Sequence, residues 1–223
     1  EEAEWVKGIE NEGALKKAII SNMFAGKKAT PNEVQKIYNK IISDREIKQN
    51  IEQMRSFGAK VAYFSADVRD QRRIESIFKE VEDKYGSITS VIHGAGVLED
   101  KYIVDKQLDQ FSRVVETKVK GLKALLNAVD PKNLKHLVLF SSVAARTGNQ
   151  GQSDYALANE ILNKTAKIYQ DDHPETLVLS INWGPWEGGM VSPSLKKEFH
   201  KRGIELIDIY SGARQLIDEL STT

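Results

Sequence analysis

The sequence predicts an α/β fold built on a doubly wound parallel sheet. Two observations carry that prediction. From residue 58 onward, strand-like runs alternate with helix-like runs four times, the pattern of a parallel sheet with helical crossovers. The apolar run 137–140 is bounded by polar residues and reads as a buried parallel strand. At 223 residues the chain is long enough for one large domain of this kind with a real core.

The first 57 residues are charged and helical in character. Thr30, Pro31 and Glu33 make a strong helix start: Thr30 caps, Pro31 takes the first helical position, and Glu33 closes a capping box. Val34, Ile37, Tyr38, Ile41 and Ile42 then form one helical stripe. Ile47, Ile51 and Met54 form a further stripe that ends at Gly58, a C-cap signal. This segment, 1–57, offers no chemistry and is expected to pack on or insert into the domain formed by 58–223. There, strands are expected at 60–65, 90–93, 137–140 and 176–182, with a candidate last strand at 204–209. Helices are expected at about 71–84, 108–129, 154–170 and 211–220, with a short one at 196–201.

Composition excludes several classes. Lys+Arg and Asp+Glu both number 32, so no basic field points to nucleic acid or to a membrane surface. The absence of cysteine removes disulfides and thiolate metal sites, and fits a reducing compartment. Four scattered histidines make no metal cluster, so no metal is expected. No apolar run approaches membrane-spanning length, and the start does not read as a signal peptide, so a cytoplasmic protein is expected.

The chemistry gathers around the run 137–159. A parallel sheet places its ligands at the carboxyl ends of its strands, and here that end is Ser141 and Ser142. A glycine-containing loop follows, with Gly148 and Gly151, and Ser153 or Asp154 can cap the next helix. On that helix Tyr155 and Asn159 share a face. A hydroxyl, a phenol and an amide can thus meet for proton transfer, or the run is simply a serine-rich turn before a helix with one buried tyrosine. Lys118 lies on the apolar face of the helix over 108–129, where a lysine either snorkels outward or carries a buried function. The run 183–190 holds two tryptophans, three glycines and a proline, and is either a shaped loop over a pocket or a rigid turn.

Taken together these residues resemble the ketoreductase domain of type I polyketide synthases. That domain is a member of the short-chain dehydrogenase/reductase superfamily. The helical stretch before residue 60 is similar to the variant found in polyunsaturated fatty-acid-synthase-like multienzymes. The resemblance covers essentially the whole chain and is strongest over 91–190. It implies Lys118, Ser142, Tyr155 and Asn159 as the catalytic set, in that chain order, with lysine and asparagine exchanged relative to the wider superfamily. It also implies NADP(H) as cofactor. Asp67 and Val68 would lie beside the adenine; His93, Gly94, Ala95 and Gly96 would form the turn close to the cofactor; and Gly184 and Pro185 would meet the nicotinamide. Leu98, Asp100, Trp186 and Met190 would face the substrate. Val97, Leu98, Glu99 and Asp100 resemble the Leu-Asp-Asp motif of B-type enzymes, with Glu99 in place of the middle Asp. No Trp occurs over 146–150, where A-type enzymes carry one.

The implied reaction is NADPH-dependent reduction of a β-ketoacyl thioester on an acyl carrier protein, with a D-configured product. Partners would be that carrier protein and other domains of a multienzyme. One departure stands out: no Gly-x-Gly-x-x-Gly turn, the usual pyrophosphate cradle, occurs in the chain. The family's first strand-helix-strand unit is therefore expected to be missing. That would leave the strands at 60 and 90 about 10 Å farther apart than normal, making the chain a fragment of the reductase for which a complementing N-terminal segment is one source of the rest. The alternative is a non-catalytic structural piece of such a multienzyme.

Overall fold

The computed structural model describes residues 2–189, 191 and 193–221, and nothing is said of the side chains of residues 193 and 194. The chain forms two compact units, Glu1–Phe64 and Ser65–Thr223.

The first unit is helical. After a 3-10 turn at Glu4–Val6 come α1 (Glu12–Met23) and α2 (Pro31–Ser56). The capping box forms as read: Glu33 N donates to Thr30 Oγ1 at 3.3 Å, and Thr30 N donates back to Glu33 Oε2 at 2.9 Å. The stripe from Val34 to Ile42 packs on Val6, Leu15 and Ile19. Arg45 closes this core by donating to the carbonyls of Ile9 and Val6 at 2.7 and 2.6 Å. The two stripes lie on one continuous helix, because no Gly or Pro interrupts residues 43–46. Gly58, at φ +86°, takes the left-handed turn that ends it.

The second unit holds the sheet. Its elements are α3 (Gln71–Tyr85), β1 (Ser90–His93), α4 (Leu108–Ala128), β2 (His136–Ser142), α5 (Ala144–Thr147), α6 (Ser153–Asp172), β3 (Leu177–Trp183), α7 (Pro193–Lys201) and α8 (Ile209–Ser221). The three strands are parallel, in the order β1-β2-β3. Register places His93 opposite Leu139 and Ser142 opposite Trp183. The core lies on one face of the sheet: Val91, Leu137 and Leu139 meet Leu122 of α4 and Leu162 and Ala166 of α6. Phe78 of α3 packs on the same cluster.

Two expected strands do not form among the described residues. Residues 60–65 form no strand, and the sheet consists of β1, β2 and β3. Alternation of apolar side chains selects a face, but a strand also needs a hydrogen-bonded neighbour. At 204–209 only Ile207 pairs, in a single bridge with Trp186. The Asp208 carboxylate then accepts the amide of Ser211 at 2.9 Å and starts α8, which cuts the extended run short. Among the described residues no helix is long and apolar enough to cross a membrane, and no group of His, Cys, Asp or Glu could hold a metal ion.

Candidate active site

The site is built at the carboxyl end of β2, where the alternation of the strand separates two adjacent serines. Ser141 is buried and donates to the carbonyl of Asn159 and to Asn182 Oδ1, both at 3.2 Å. Ser142 is half-buried and lies beside the Tyr155 hydroxyl. Asn159 Nδ2 donates to the Tyr155 carbonyl at 2.8 Å, one turn back on α6. Its Oδ1 is buried with no partner among the described residues. An orphaned buried acceptor is costly unless something else supplies a donor.

Lys118 does not snorkel. It is 3% exposed, its Nζ donates to the Phe140 carbonyl at 2.9 Å, and it stands 5.7 Å from the centre of the Tyr155 ring. Among the described residues no carboxylate pairs with it. Burial lowers its pKa from 10.5 to about 8. Burial raises the Tyr155 phenol above its ordinary value; Asn159 and Ser142 pull it back, and the charge of Asp100 adds to the rise. The structure thus brings Lys118, Ser142, Tyr155 and Asn159 together, with Asp100 close enough to be felt.

The cofactor-side residues divide. His93 is 1% exposed, and its Nε2 lies 2.9 Å from the Lys118 carbonyl. A carbonyl only accepts, so Nε2 carries the proton. Its side chain is therefore part of the core, and only the main chain of the turn can meet a ligand. Gly94 leaves such room: a Cβ there would meet only Phe140 Cδ2, at 3.8 Å. Ala95 and Gly96 are half-buried on the same turn. Val68 packs against Gly121 of α4, where an added Cβ would lie 2.9 Å from it. Asp67 is exposed and held by Arg69, whose hydrogen bonds lower its pKa to about 2. Gly184 and Pro185 follow β3, and the Pro185 carbonyl accepts Ile207 N at 2.8 Å.

On the substrate side, Leu98 is half-buried, and Asp100 accepts Gln152 Nε2 at 2.8 Å. Glu99 is held by Arg113 at 3.0 Å. Trp186 meets Trp183 edge-on and packs on Gly212 of α8. Met190 lies outside the described residues. An open cleft of about 470 Å³ runs between Tyr102, Ile103 and Val104 on one side and Gly148, Asn149, Gln150, Gly151, Ser153 and Ala156 on the other.

The cap of α6 differs from expectation. Gln152 holds the N-cap position, and Asp154 sits inside the first turn with its Oδ1 taking the amide of Tyr155 at 2.9 Å. Its other oxygen binds Lys106 at 2.6 Å in a buried ion pair that sequence reasoning missed. The partners are 48 residues apart, and no periodicity links them. A second missed group lies behind the site, where Ser180 donates to Asn163 and Asn163 to Asn182.

His93 makes a stability prediction. Burial lowers its pKa from 6.5 to about 4. Between those values the unfolded chain binds a proton that the folded one does not, so stability falls as pH drops from 6.5 to 4. The loss attributable to this group is about 3 kcal/mol. Urea unfolding at a series of pH values checks it: His93→Gln, which keeps a donor for the Lys118 carbonyl, should flatten that slope. Equal slopes would refute it.

A parallel α/β sheet with a buried lysine, a serine and a tyrosine at the end of its central strand defines a fold of the short-chain dehydrogenase/reductase type. The KR domain family model matches residues 23–188, and the chain belongs to that family of nicotinamide-dependent ketoreductases. A polyunsaturated fatty acid synthase polypeptide of Thraustochytrium sp. is 40% identical over 95% of this chain. Polyketide synthase PksN of Bacillus subtilis is 33% identical over 72%. Among solved structures, an N-terminal ketoreductase from the macrolactin assembly line is 28% identical over 79% of this chain, with a TM-score of 0.69. A ketoreductase domain from the bacillaene assembly line is 31% identical over 78%, with a TM-score of 0.67. The chain spans 8% and 3% of the two synthases, and 35% and 43% of the two structures.

Proposed function

We propose that this chain carries the catalytic centre of an NADPH-dependent reductase acting on β-ketoacyl thioesters held by an acyl carrier protein. Residues 58–223 would form the reductase portion, behind the helical segment 1–57, within a cytoplasmic multienzyme. The observation that carries the reading is the buried ammonium of Lys118 against the Tyr155 ring, with Ser142 and Asn159 beside it.

When bound, NADPH supplies hydride to the substrate carbonyl carbon. The nicotinamide end of such a cofactor fits the residues present: an ammonium without a carboxylate, an orphaned amide oxygen and an open glycine turn. Lys118, the turn from Gly94 to Gly96, Gly184 and Pro185 would hold that end, and Asp67 and Val68 would lie beside the adenine. Tyr155 gives its proton to the carbonyl oxygen as negative charge develops there. Ser142 donates a hydrogen bond to the same oxygen. Lys118, still largely protonated at pH 7, favours the phenolate that remains. Asn159 orients Lys118 or a water that returns the proton.

Asp100 beside Tyr155, and the lack of a Trp over 146–150, support B-type selection. A loop that closes one flank fixes the side from which the substrate arm enters, and hence the carbonyl face presented. The full-length protein, given NADPH and a β-ketoacyl N-acetylcysteamine thioester, should consume NADPH. Chiral chromatography should show a predominantly D (3R for simple chains) product. No consumption of NADPH would refute the reductase reading; a predominantly L product would refute the B-type assignment.

A further inference from the structure

The acid–base chemistry above leaves Lys106 and Asp154 unused, although their paired side chains are only 4% and 1% exposed. A buried ion pair is a poor device for stability, because desolvation offsets the attraction and apolar replacements are often neutral. Its other bonds suggest what it does instead. Lys106 Nζ also donates to the Glu99 carbonyl at 2.9 Å. Asp154 Oδ1 accepts the Tyr155 amide at 2.9 Å. The pair therefore joins the main chain of Glu99 to the main chain of Tyr155. Two further ties run beside it: Lys101 N to the Gly151 carbonyl at 3.0 Å, and Gln152 to Asp100.

Besides these ties and the Glu99–Arg113 pair, the loop so anchored has little regular structure. Between β1 and α4 its one regular piece is a 3-10 turn at Ile103–Asp105, and Ile103 and Val104 are 76% and 90% exposed. Those two side chains wall the cleft whose other side includes Ser153 and Ala156 of the first turn of α6. Without an anchor such a segment samples many conformations.

We propose that Lys106 and Asp154 are positioning residues: a buried latch that holds the loop 98–106 at a set distance from Tyr155 and so decides which carbonyl face the substrate presents. The consequence for the reaction rests on the ketoreductase reading; the latch itself does not.

The test compares Lys106→Met with the double variant Lys106→Met/Asp154→Asn in the full-length protein. The single variant strands a buried carboxylate and should lose stability; the double variant removes both charges, keeps an acceptor for the Tyr155 amide, and should regain it. In the folded double variant kcat should stay within about threefold, while KM and the share of minor enantiomer should each rise about tenfold. A pair serving stability alone would leave the enantiomer ratio unmoved. Amide hydrogen exchange over 99–106 should also quicken about tenfold or more, with 137–142 unchanged. A folded double variant with parental exchange in the loop overturns the latch whatever the enzyme does. Quickened exchange with parental KM and enantiomer ratio overturns its role in selection. Quickened exchange in a protein whose unmodified form turns over no β-ketothioester upholds the latch and counts against the ketoreductase reading alone.

Discussion

Tyr155→Phe should lower turnover of a β-ketoacyl thioester by at least about 10²-fold, the low end for loss of a positioned general acid. The phenyl ring keeps its place on α6, and the Asn159 bond to the residue 155 carbonyl is untouched by the change. Folding and NADPH affinity should therefore shift little. The raised pKa of the phenol means that Tyr155 holds its proton throughout the neutral range, ready to be given up only as the alkoxide forms. Single-turnover measurement in the full-length protein checks the step itself. A Phe variant working at the parental rate would remove Tyr155 from the chemistry.

Lys118→Met should do two opposite things at once: cost roughly 10²-fold in turnover and stabilise the fold. The depressed pKa of this 3% exposed lysine means that burial disfavours its charge. Below pH 8 both folded and unfolded chains carry the proton, and the folded one bears the full penalty, about 3 kcal/mol. From pH 8 to 10.5 the unfolded chain keeps a proton that the folded one has released, so parental stability rises with pH. Met has no such dependence. The gain from the substitution should be largest below pH 8, less about 1 kcal/mol for the lost bond to the Phe140 carbonyl, and should close toward pH 10.5. Denaturant unfolding of both proteins across that range decides it. A Met variant less stable than the parent at pH 7 would mean that the ammonium is better solvated than its burial implies.

Local rules made the four proposed catalytic residues stand out, but left their roles open until the family resemblance grouped them. Ser142 ends an apolar strand, Tyr155 and Asn159 are one helical turn apart, and Lys118 breaks an apolar stripe. The start and stop of α2 were legible for the same reason, as Thr30 and Gly58 show. What escaped depends on partners far along the chain. Lys106 and Asp154 meet only after α4 and β2 have folded back, and no spacing announces it. The expected strand at 60–65 has the right side chains but is not among the three strands of the sheet. The run at 204–209 lost to the capping carboxylate of Asp208. The resemblance spoke only for the backbone of the turn at His93, and the anchoring of its side chain in the core against α4 was not legible.

The twin serines at the end of β2 bear on how this protein can change over time. Neighbours with the same hydroxyl serve opposite faces, Ser141 fastened beneath α6 and Ser142 turned toward Tyr155. Their assignment depends on the count of residues from His136, which pairs with Leu177. Gaining or losing one residue within 137–140 would turn each later side chain to the other face. Ser141 would not simply stand in for Ser142, because the bonds to Asn159 and Asn182 would be broken in the same event. Descendants of this chain can therefore trade apolar side chains within that strand far more freely than they can alter its length.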